Sequence, residues 1–268
     1  MSKIEWLTHE PEDLYHARSK SGEILSSHML ADFRNSPLLY HKKITGQVIE
    51  TPNPAYALGS ATHKLILEGR EAFDAEYIVA DGPINEKTGK PFGPTSQKYQ
   101  LWLEEQTKDV VAPEDFGKIM KMYHGVHSNL EAARLLETGE AEGVVRAELN
   151  AIPCQIRIDW LNPEMGIVDL KTTAELRYFE SDCRRYGYIN QLAFYRAVVR
   201  AITGVTMPVF IIAVEKIEPY AAGVWMLTSN ALDDAEQVNS AAMVRMKDCI
   251  CTNIWPTGYE SVRIIDSL

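Results

Sequence analysis

Apolar residues in the first half of the chain recur with the spacing of amphipathic helices. Ser26 and Ser27 stand where a helix is expected to begin, and Pro37 is expected to bend or interrupt that helix. Gly69 is expected to end a second helix. A segment rich in glycine and proline, residues 81–94, predicts a long loop. The predicted helices cover residues 28–41, 56–68, 96–107 and 113–138.

The pattern changes at Gly143, after which apolar and polar residues alternate with the period of two that is typical of strands. Turn segments at 151–153 and 162–166 separate the first three strands and predict a meander. The predicted strands are 144–150, 154–161, 167–171, 209–215 and 223–227, with helices at 188–202 and 231–251. This order predicts an α/β fold in which helices flank a mixed central β-sheet. One domain is expected over residues 1–268, with a helical part at about 1–142 and a sheet core at about 143–268.

Side chains on a strand point alternately to opposite faces, so their positions predict which residues meet. On the second predicted strand, Asp159 shares a polar face with Gln155 and Arg157. The opposite, apolar face is expected to carry Cys154, Ile156, Ile158 and Trp160.

The third predicted strand is apolar enough to be central in the sheet, yet Asp169 and Lys171 share one of its faces. Buried charges are costly unless they bind a metal, pair with each other or take part in chemistry. If the second and third strands pair, Asp159 joins this face. Two carboxylates that hold Mg²⁺ beside a lysine suit phosphodiester hydrolysis, because the metal binds phosphate and activates water. Taken alone, Asp-x-Lys is also typical of a surface ion pair.

Composition narrows the classes of protein to consider. The 46% hydrophobic and 24% charged residues are ordinary for a globular domain. A net charge of −10 argues against a non-specific DNA coat protein, but suits an enzyme that reaches phosphate through metal ions. The longest apolar run, 207–214, is too short to cross a bilayer, and the N-terminus lacks a hydrophobic signal segment, so a cytoplasmic location is expected. The four cysteines lack metal-site spacing and are expected to be reduced thiols.

A different metal site is conceivable at His124, His127 and Glu131, which lie near one face of a predicted helix. The spacing lacks the His-Glu-x-x-His pattern of zinc hydrolases, and such partial matches are often accidental. A solvated helix face is therefore the favoured interpretation.

Ile158-Asp159, followed by Ile167-Val-Asp169-Leu-Lys171, resembles the motif of the PD-(D/E)XK nucleases. Flanking segments look like the RecB-type branch of that superfamily, most of all the RecE-like phage recombination nucleases related to exodeoxyribonuclease VIII. These segments are Gly59 to His63, Gln191 to Tyr195, Ala213 to Tyr220 and residues 26–40. Ile158 stands where the motif has proline, which is a common relaxation.

The resemblance implies a restriction-endonuclease-like core and a metal site built by His63, Asp159, Asp169 and Leu170. Lys171, Gln191 and Tyr195 are implied as further catalytic residues. The expected ion is Mg²⁺, for which Mn²⁺ could substitute. Some relatives carry a four-cysteine iron–sulfur cluster, but the cysteines here lack its grouped spacing, so no cluster is expected.

Two further residues are weaker candidates. Glu148 shares a strand face with Arg146, so it could add a carboxylate beside the metal or form a cross-strand salt bridge. Arg34 is a candidate for binding phosphate.

The function implied by the resemblance is an exodeoxyribonuclease that digests linear double-stranded DNA, 5′ to 3′, and leaves 3′ single strands for recombination. A ring-shaped homo-oligomer and a single-strand annealing protein as partner are implied in the same way. One alternative is a single-strand or flap nuclease of the same superfamily. Another is a non-catalytic DNA-binding module, although a degenerate copy has little reason to keep a costly set of charges.

Overall fold

The computed structural model describes residues 4–48 and 54–264. The helices α1 to α11 are Glu12–Lys20, Ser27–Asn35, Pro37–Ile44, Pro54–His63, Gly69–Glu76, Gln97–Glu104, Pro113–Ser128, Leu130–Leu135, Phe179–Arg185, Tyr188–Thr203 and Ser229–Thr252. A π-helical turn, Lys64–Glu68, joins α4 to α5, and a 3-10 turn, Leu176–Tyr178, precedes α9. The strands β1 to β9 are Tyr77–Val79, Ile84–Asn85, Lys90–Pro91, Asp109–Val111, Glu140–Leu149, Ile152–Asn162, Gly166–Thr173, Val209–Glu215 and Ala222–Met226.

The central sheet has the strand order β5-β6-β7-β8-β9. The β7–β8 pair is parallel, whereas the β5–β6, β6–β7 and β8–β9 pairs are antiparallel. Parallel neighbours need a long crossover connection, which α9 and α10 supply here. The predicted mixed α/β sheet is confirmed, and each of its five strands lies within a few residues of its predicted bounds.

Helices cover both faces of this sheet and enclose two apolar cores. On one face, α2, α10 and α11 pack through residues such as Phe33, Phe194 and Met243. On the other, α4, α5, α7 and α8 pack against Leu170 and Ile212 of the two central strands. The sheet is therefore the middle of three layers, which leaves its ends as the places where polar side chains can reach solvent.

The predicted helix over residues 28–41 is two helices, α2 and α3, and the predicted interruption at Pro37 is confirmed. The hydroxyl of Ser26 caps α2 by accepting a hydrogen bond from the Met29 amide, and the Ser36 hydroxyl caps α3 through the Leu39 amide. Pro37 occupies the first turn of α3, where its missing amide hydrogen has no helical acceptor to lose.

One predicted sheet face is wrong. The apolar residues of β6 up to Ile158 pack with α10 and α11, as expected, but Trp160 packs in the core on the other face. The cause is a local distortion between β5 and β6. Glu142 has a φ of 56°, in the left-handed region, and the pair formed by Glu142 and Asp159 is missing from the β5–β6 ladder. The twist there turns Trp160 away from the face that carries Ile158.

Other differences concern short elements. The predicted helix over 113–138 breaks at Asn129, whose side chain caps α8. The predicted loop over 81–94 contains the β2–β3 hairpin, and the first half also holds a parallel pair, β1 with β4. Helices α1 and α9 were not predicted. Among the described residues, no helix combines the length and the apolar character needed to cross a membrane.

Candidate active site

A cleft of about 550 Å³ opens beside the point where β6 parts from β7. The ladder between these strands starts at their turn and ends at the pair formed by Trp160 and Val168. One step further, the same register would set Asp159 against Asp169. The walls come from α1, α4, the π-helical turn, the strands β5 to β7, and the segment that includes α9 and the start of α10.

Asp159 lines this cleft and has two partners. Its Oδ2 atom accepts a hydrogen bond from the Leu170 amide at 2.8 Å and lies 3.6 Å from Nδ1 of His63. Burial lowers the pKa of His63 to about 4, and the positive charge of Lys171 contributes to this shift. His63 is therefore neutral near pH 7, the form in which histidine binds a metal. The structure thus brings together two of the residues that sequence reasoning assigned to the metal.

Asp169 lies beneath the cleft floor, where its side chain is 2% exposed. The Lys171 ammonium lies 2.7 Å from its Oδ2 atom, while Oδ1 is buried without a hydrogen-bond partner in the described structure. Burial raises the pKa of Asp169 to about 6, against the lowering effect of Lys171. Burial also acts to lower the pKa of Lys171, but Asp169 and then Asp159 outweigh it, so the lysine stays positive. The three predicted strand residues interact electrostatically at one end of the sheet.

Leu170 separates the acid from the lysine in the motif. Its side chain is fully buried in the apolar core on the opposite face. Only its main chain can therefore take part in the site, and its amide already binds Asp159.

Glu142 is a site residue that sequence reasoning missed. Its ligand oxygen, the nearest His63 nitrogen and an Asp159 oxygen all lie within 4.8 Å of one another. Arg157 binds the same carboxylate, with Nε 2.6 Å from Oε2 of Glu142. Burial, followed by repulsion from Asp159, nevertheless raises the pKa of Glu142 to about 8. The prediction placed Glu142 just outside the sheet, because the first strand was set to begin after Gly143.

Gln191 and Tyr195 both line the cleft, one helical turn apart on α10. The Gln191 amide donates a hydrogen bond to the Tyr195 hydroxyl at 3.3 Å. Tyr195 is almost fully buried, whereas Gln191 is half-buried. Two hydrogen-bonding groups therefore stand side by side on the wall of the cleft.

The two weaker candidates lie elsewhere. Glu148 is exposed near the hairpin end of β5, where it pairs in register with Pro153, and it does not line the cleft. Arg34 donates to the Asn239 side chain and lines a separate cavity of about 320 Å³ together with Arg245 and Arg263. Glu148 therefore adds no carboxylate to the cleft, whereas Glu142 does.

The helix that carries His63 differs in one respect from its predicted form. Gly59 and His63 line the cleft, and the space that a Cβ atom on Gly59 would occupy is open. Ile66 and Leu67 lie in the π-helical turn that follows His63 and pack in the core. The wider π-helical turn that follows His63 changes the register of side chains around the helix axis.

The alternative metal constellation is not assembled. His124 and His127 lie in α7, but Glu131 lies in α8, beyond the break at Asn129, and all three are exposed. His127 stacks on Tyr123 at a ring distance of 4.0 Å. In the described part of the chain, the group that could hold a metal is His63, Glu142 and Asp159.

Comparison with known proteins places this geometry in a family. Residues 26–267 match the family described as "PDDEXK-like domain of unknown function (DUF3799)". The chain belongs to this PDDEXK-like family. A crystal structure from Eubacterium rectale, named "Putative exonuclease", has a TM-score of 0.69 to this chain at 18% sequence identity, with 97% of each chain covered. Comparison with curated proteins gave no match.

The family match confirms the predicted PD-(D/E)XK core. The solved structure, because its sequence identity is low, shows only a shared fold. Neither comparison tests the RecE-like specificity, which stays a prediction.

The residues of this PDDEXK-like site fit a divalent cation. The donors are one neutral histidine nitrogen and several carboxylate oxygens, a set that suits hard or intermediate divalent ions. The buried Oδ1 atom of Asp169 has no partner among the described residues, and a buried carboxylate oxygen without a partner is costly. Among the described residues, Asp169 lies outside the group of ligand atoms within 4.8 Å of one another, so its predicted part in binding a metal stays a prediction.

The raised pKa values of Glu142 and Asp169 predict how stability depends on pH when no metal is bound. Between the ordinary carboxyl pKa and about pH 8, these two carboxyl groups hold more protons in the folded state than in the unfolded state. Stability should therefore fall as pH rises from 6.5 to 8, by about 1 kcal/mol per pH unit. The opposite contribution of His63 lies below pH 6.5, because its pKa is lowered. Thermal unfolding in EDTA across this range measures the effect.

Glu142→Gln is the matched variant, because it keeps the side-chain shape without the titrating carboxyl group. It should flatten the pH dependence, and Glu148→Gln, at an exposed site, should leave it unchanged. A wild-type stability that rises between pH 6.5 and 8 would contradict the assignment of Glu142 to the buried site.

Proposed function

We propose that this protein is a divalent-metal-dependent exodeoxyribonuclease that hydrolyses phosphodiester bonds of linear double-stranded DNA. The observation that carries the proposal is the pairing of two features at one end of the sheet. His63, Glu142 and Asp159 offer metal ligands within 4.8 Å, and the Lys171 ammonium lies beside the buried carboxylate of Asp169. An acidic metal site beside a fixed cation matches the requirements of phosphoryl chemistry.

Some residues of the site would hold the metal ion, and others would act on the phosphate or the attacking water. His63, Asp159 and Asp169, with Glu142 as a further carboxylate, would hold Mg²⁺ or Mn²⁺. Bound there, the ion would polarise a phosphate oxygen and lower the pKa of a water molecule. The Leu170 amide fixes Asp159 in place through its 2.8 Å hydrogen bond.

Lys171 presents a positive charge that can orient the attacking water or stabilise the charge that develops on the phosphate. Its orientation is set by the 2.7 Å contact with Asp169. Gln191 and Tyr195 stand on the same wall and can donate hydrogen bonds to phosphate oxygens. Arg157 limits the repulsion among the carboxylates by binding Glu142.

Exonuclease action is supported by the similar crystal structure from Eubacterium rectale, which is named "Putative exonuclease", and by the RecE-like segments of the sequence. From the same segments we propose 5′ to 3′ polarity, 3′ single-stranded products for recombination, a ring-shaped homo-oligomer and a single-strand annealing partner. A ring would place basic residues in a channel around DNA while the total charge stays at −10.

Digestion of end-labelled DNA tests this function. Purified protein with Mg²⁺ should degrade linear duplex from its ends and leave closed circular duplex intact. In EDTA it should degrade neither DNA. Labels on the 5′ and 3′ ends report polarity. Faster loss of single-stranded than of duplex DNA would favour the single-strand nuclease, whereas no cleavage with Mg²⁺ or Mn²⁺ would favour the non-catalytic module.

A further inference from the structure

Tyrosine rings lead from the candidate catalytic lysine to the rim of the cleft. The Lys171 ammonium lies 5.0 Å from the ring centre of Tyr188, and that ring lies 5.8 Å from the ring of Tyr186, with a 32° tilt between them. Tyr188 is anchored in the core by Phe179, at 6.2 Å. Tyr186 also lines the cleft, and the residue is 57% exposed.

The position of Tyr186 is fixed by the backbone around it. Its amide caps the end of α9 by donating to the Asp182 carbonyl at 2.8 Å. Gly187 follows with a φ of 70°, which turns the chain sharply into α10. The ring is therefore held at the corner between two helices and does not sit on a long loop. A rigid aromatic surface loses little conformational entropy when a flat ligand stacks on it.

Positive charge accompanies the exposed ring. The guanidinium group of Arg185 lies 5.4 Å from the Tyr186 ring centre, and Arg184 is exposed on the same helix end. An aromatic ring beside cations, at the edge of a site built for phosphate, is the combination by which proteins bind single-stranded nucleic acid. Exposed tyrosines are common singly, so the continuity with Lys171 is the decisive observation.

We propose that Tyr186 stacks on a nucleobase of the strand being cut, so that this strand is unpaired where it enters the cleft. The inference rests on the proposed nuclease function. At a rise of about 3.4 Å per nucleotide, the two ring steps place the stacked base within about three nucleotides of the scissile bond. Because every base has an aromatic face, this contact gives affinity without sequence preference.

Binding of fluorescein-labelled oligodeoxythymidylate in EDTA tests the stacking contact directly, whether or not DNA is cleaved. Tyr186→Ala should raise the Kd roughly 10-fold, the effect of losing one stacked base, and Tyr186→Trp should restore it. Tyr259→Ala is the matched control, because Tyr259 is 70% exposed with Arg263 4.3 Å from its ring centre, yet lines a different cavity. Equal affinities for wild type and Tyr186→Ala would overturn the proposal.

Cleavage of duplexes with one abasic nucleotide near the cut end locates the stacked base. At one position the abasic site should lower kcat/KM of the wild type but leave Tyr186→Ala unaffected, because the contact is already lost. If the abasic nucleotide and Tyr186→Ala lower kcat/KM by independent factors at every position, the inference would also be overturned. Unmodified duplex cut by the wild type tests the nuclease function separately, since that activity can be present whatever Tyr186 does.

Discussion

Asp169→Ala should reduce metal-dependent cleavage of linear DNA by on the order of a thousandfold, because a bound metal supplies several kcal/mol of transition-state stabilisation. The physical reason lies in the position of this carboxylate. It is buried beneath the cleft, its Oδ1 atom has no partner among the described residues, and its Oδ2 atom holds Lys171 at 2.7 Å. On the proposed function, the variant loses a metal ligand as well as the anchor of the lysine. Initial rates with Mg²⁺, together with calorimetric titration of Mn²⁺, measure the two losses.

The fold should survive this substitution, although it leaves the Lys171 ammonium without its 2.7 Å partner, because that ammonium lines the open cleft. Asp169→Asn serves as an isosteric second variant if alanine perturbs packing. Glu148→Ala is the control, because it removes an exposed acid from the same sheet without touching the cleft. Cleavage by Asp169→Ala at the wild-type rate would refute the assignment of this end of the sheet as the active site.

The sequence was sufficient for the sheet and for its central acids because both follow from period-two alternation. Residues two apart on a strand point to the same face, which was enough to place Asp169 and Lys171 together. The short turn between β6 and β7 fixed the register that brings Asp159 near them. The face to which a side chain points and the register of paired strands depend on local backbone geometry, which the residue pattern encodes directly.

Glu142 could not be predicted in the same way. Gly143 resembles a strand break, and no local sequence pattern predicts the positive φ of Glu142. In the structure, a Cβ atom on Gly143 would lie 2.3 Å from the Leu7 side chain, so the glycine marks a close approach of the N-terminal segment and not an end of the strand. In the observed register Glu142 lies between Ala141 and Gly143, which pair with Trp160 and Ile158, and this places it next to Asp159.

Elements without a clear period were missed for a related reason. Helix α1, which brings Glu12 to the cleft, is short and mostly polar, and β1 and β4 have three residues each. Such segments gain their structure from tertiary contacts rather than from their own amphipathic pattern. The elements that form the walls of the cleft, unlike the strands that form its floor, therefore depend on tertiary contacts that the sequence pattern does not show.

Lys171→Ala should lower the rate of DNA cleavage by on the order of a hundredfold, as expected when one preorganised charge is removed from a phosphoryl-transfer site. Metal affinity should be kept or should rise, because the ammonium repels a cation and is not a ligand. Without metal the variant should be less stable, since Asp169 stays buried after losing its partner, and Mn²⁺ should restore much of that loss. Lys118→Ala, at a surface ion pair that does not line the cleft, is the control.

The two variants together separate holding the metal from acting on the phosphate. Asp169→Ala should lose Mn²⁺ binding and activity in parallel, whereas Lys171→Ala should lose activity while it still binds Mn²⁺. A calorimetric titration and a cleavage assay on the same samples decide between these outcomes. Should Lys171→Ala also lose Mn²⁺ binding, its role would be to keep Asp169 ionised and in place. Stabilisation of the phosphate would then have to come from hydrogen bonds of Gln191 or Tyr195 or from the charge of Arg157.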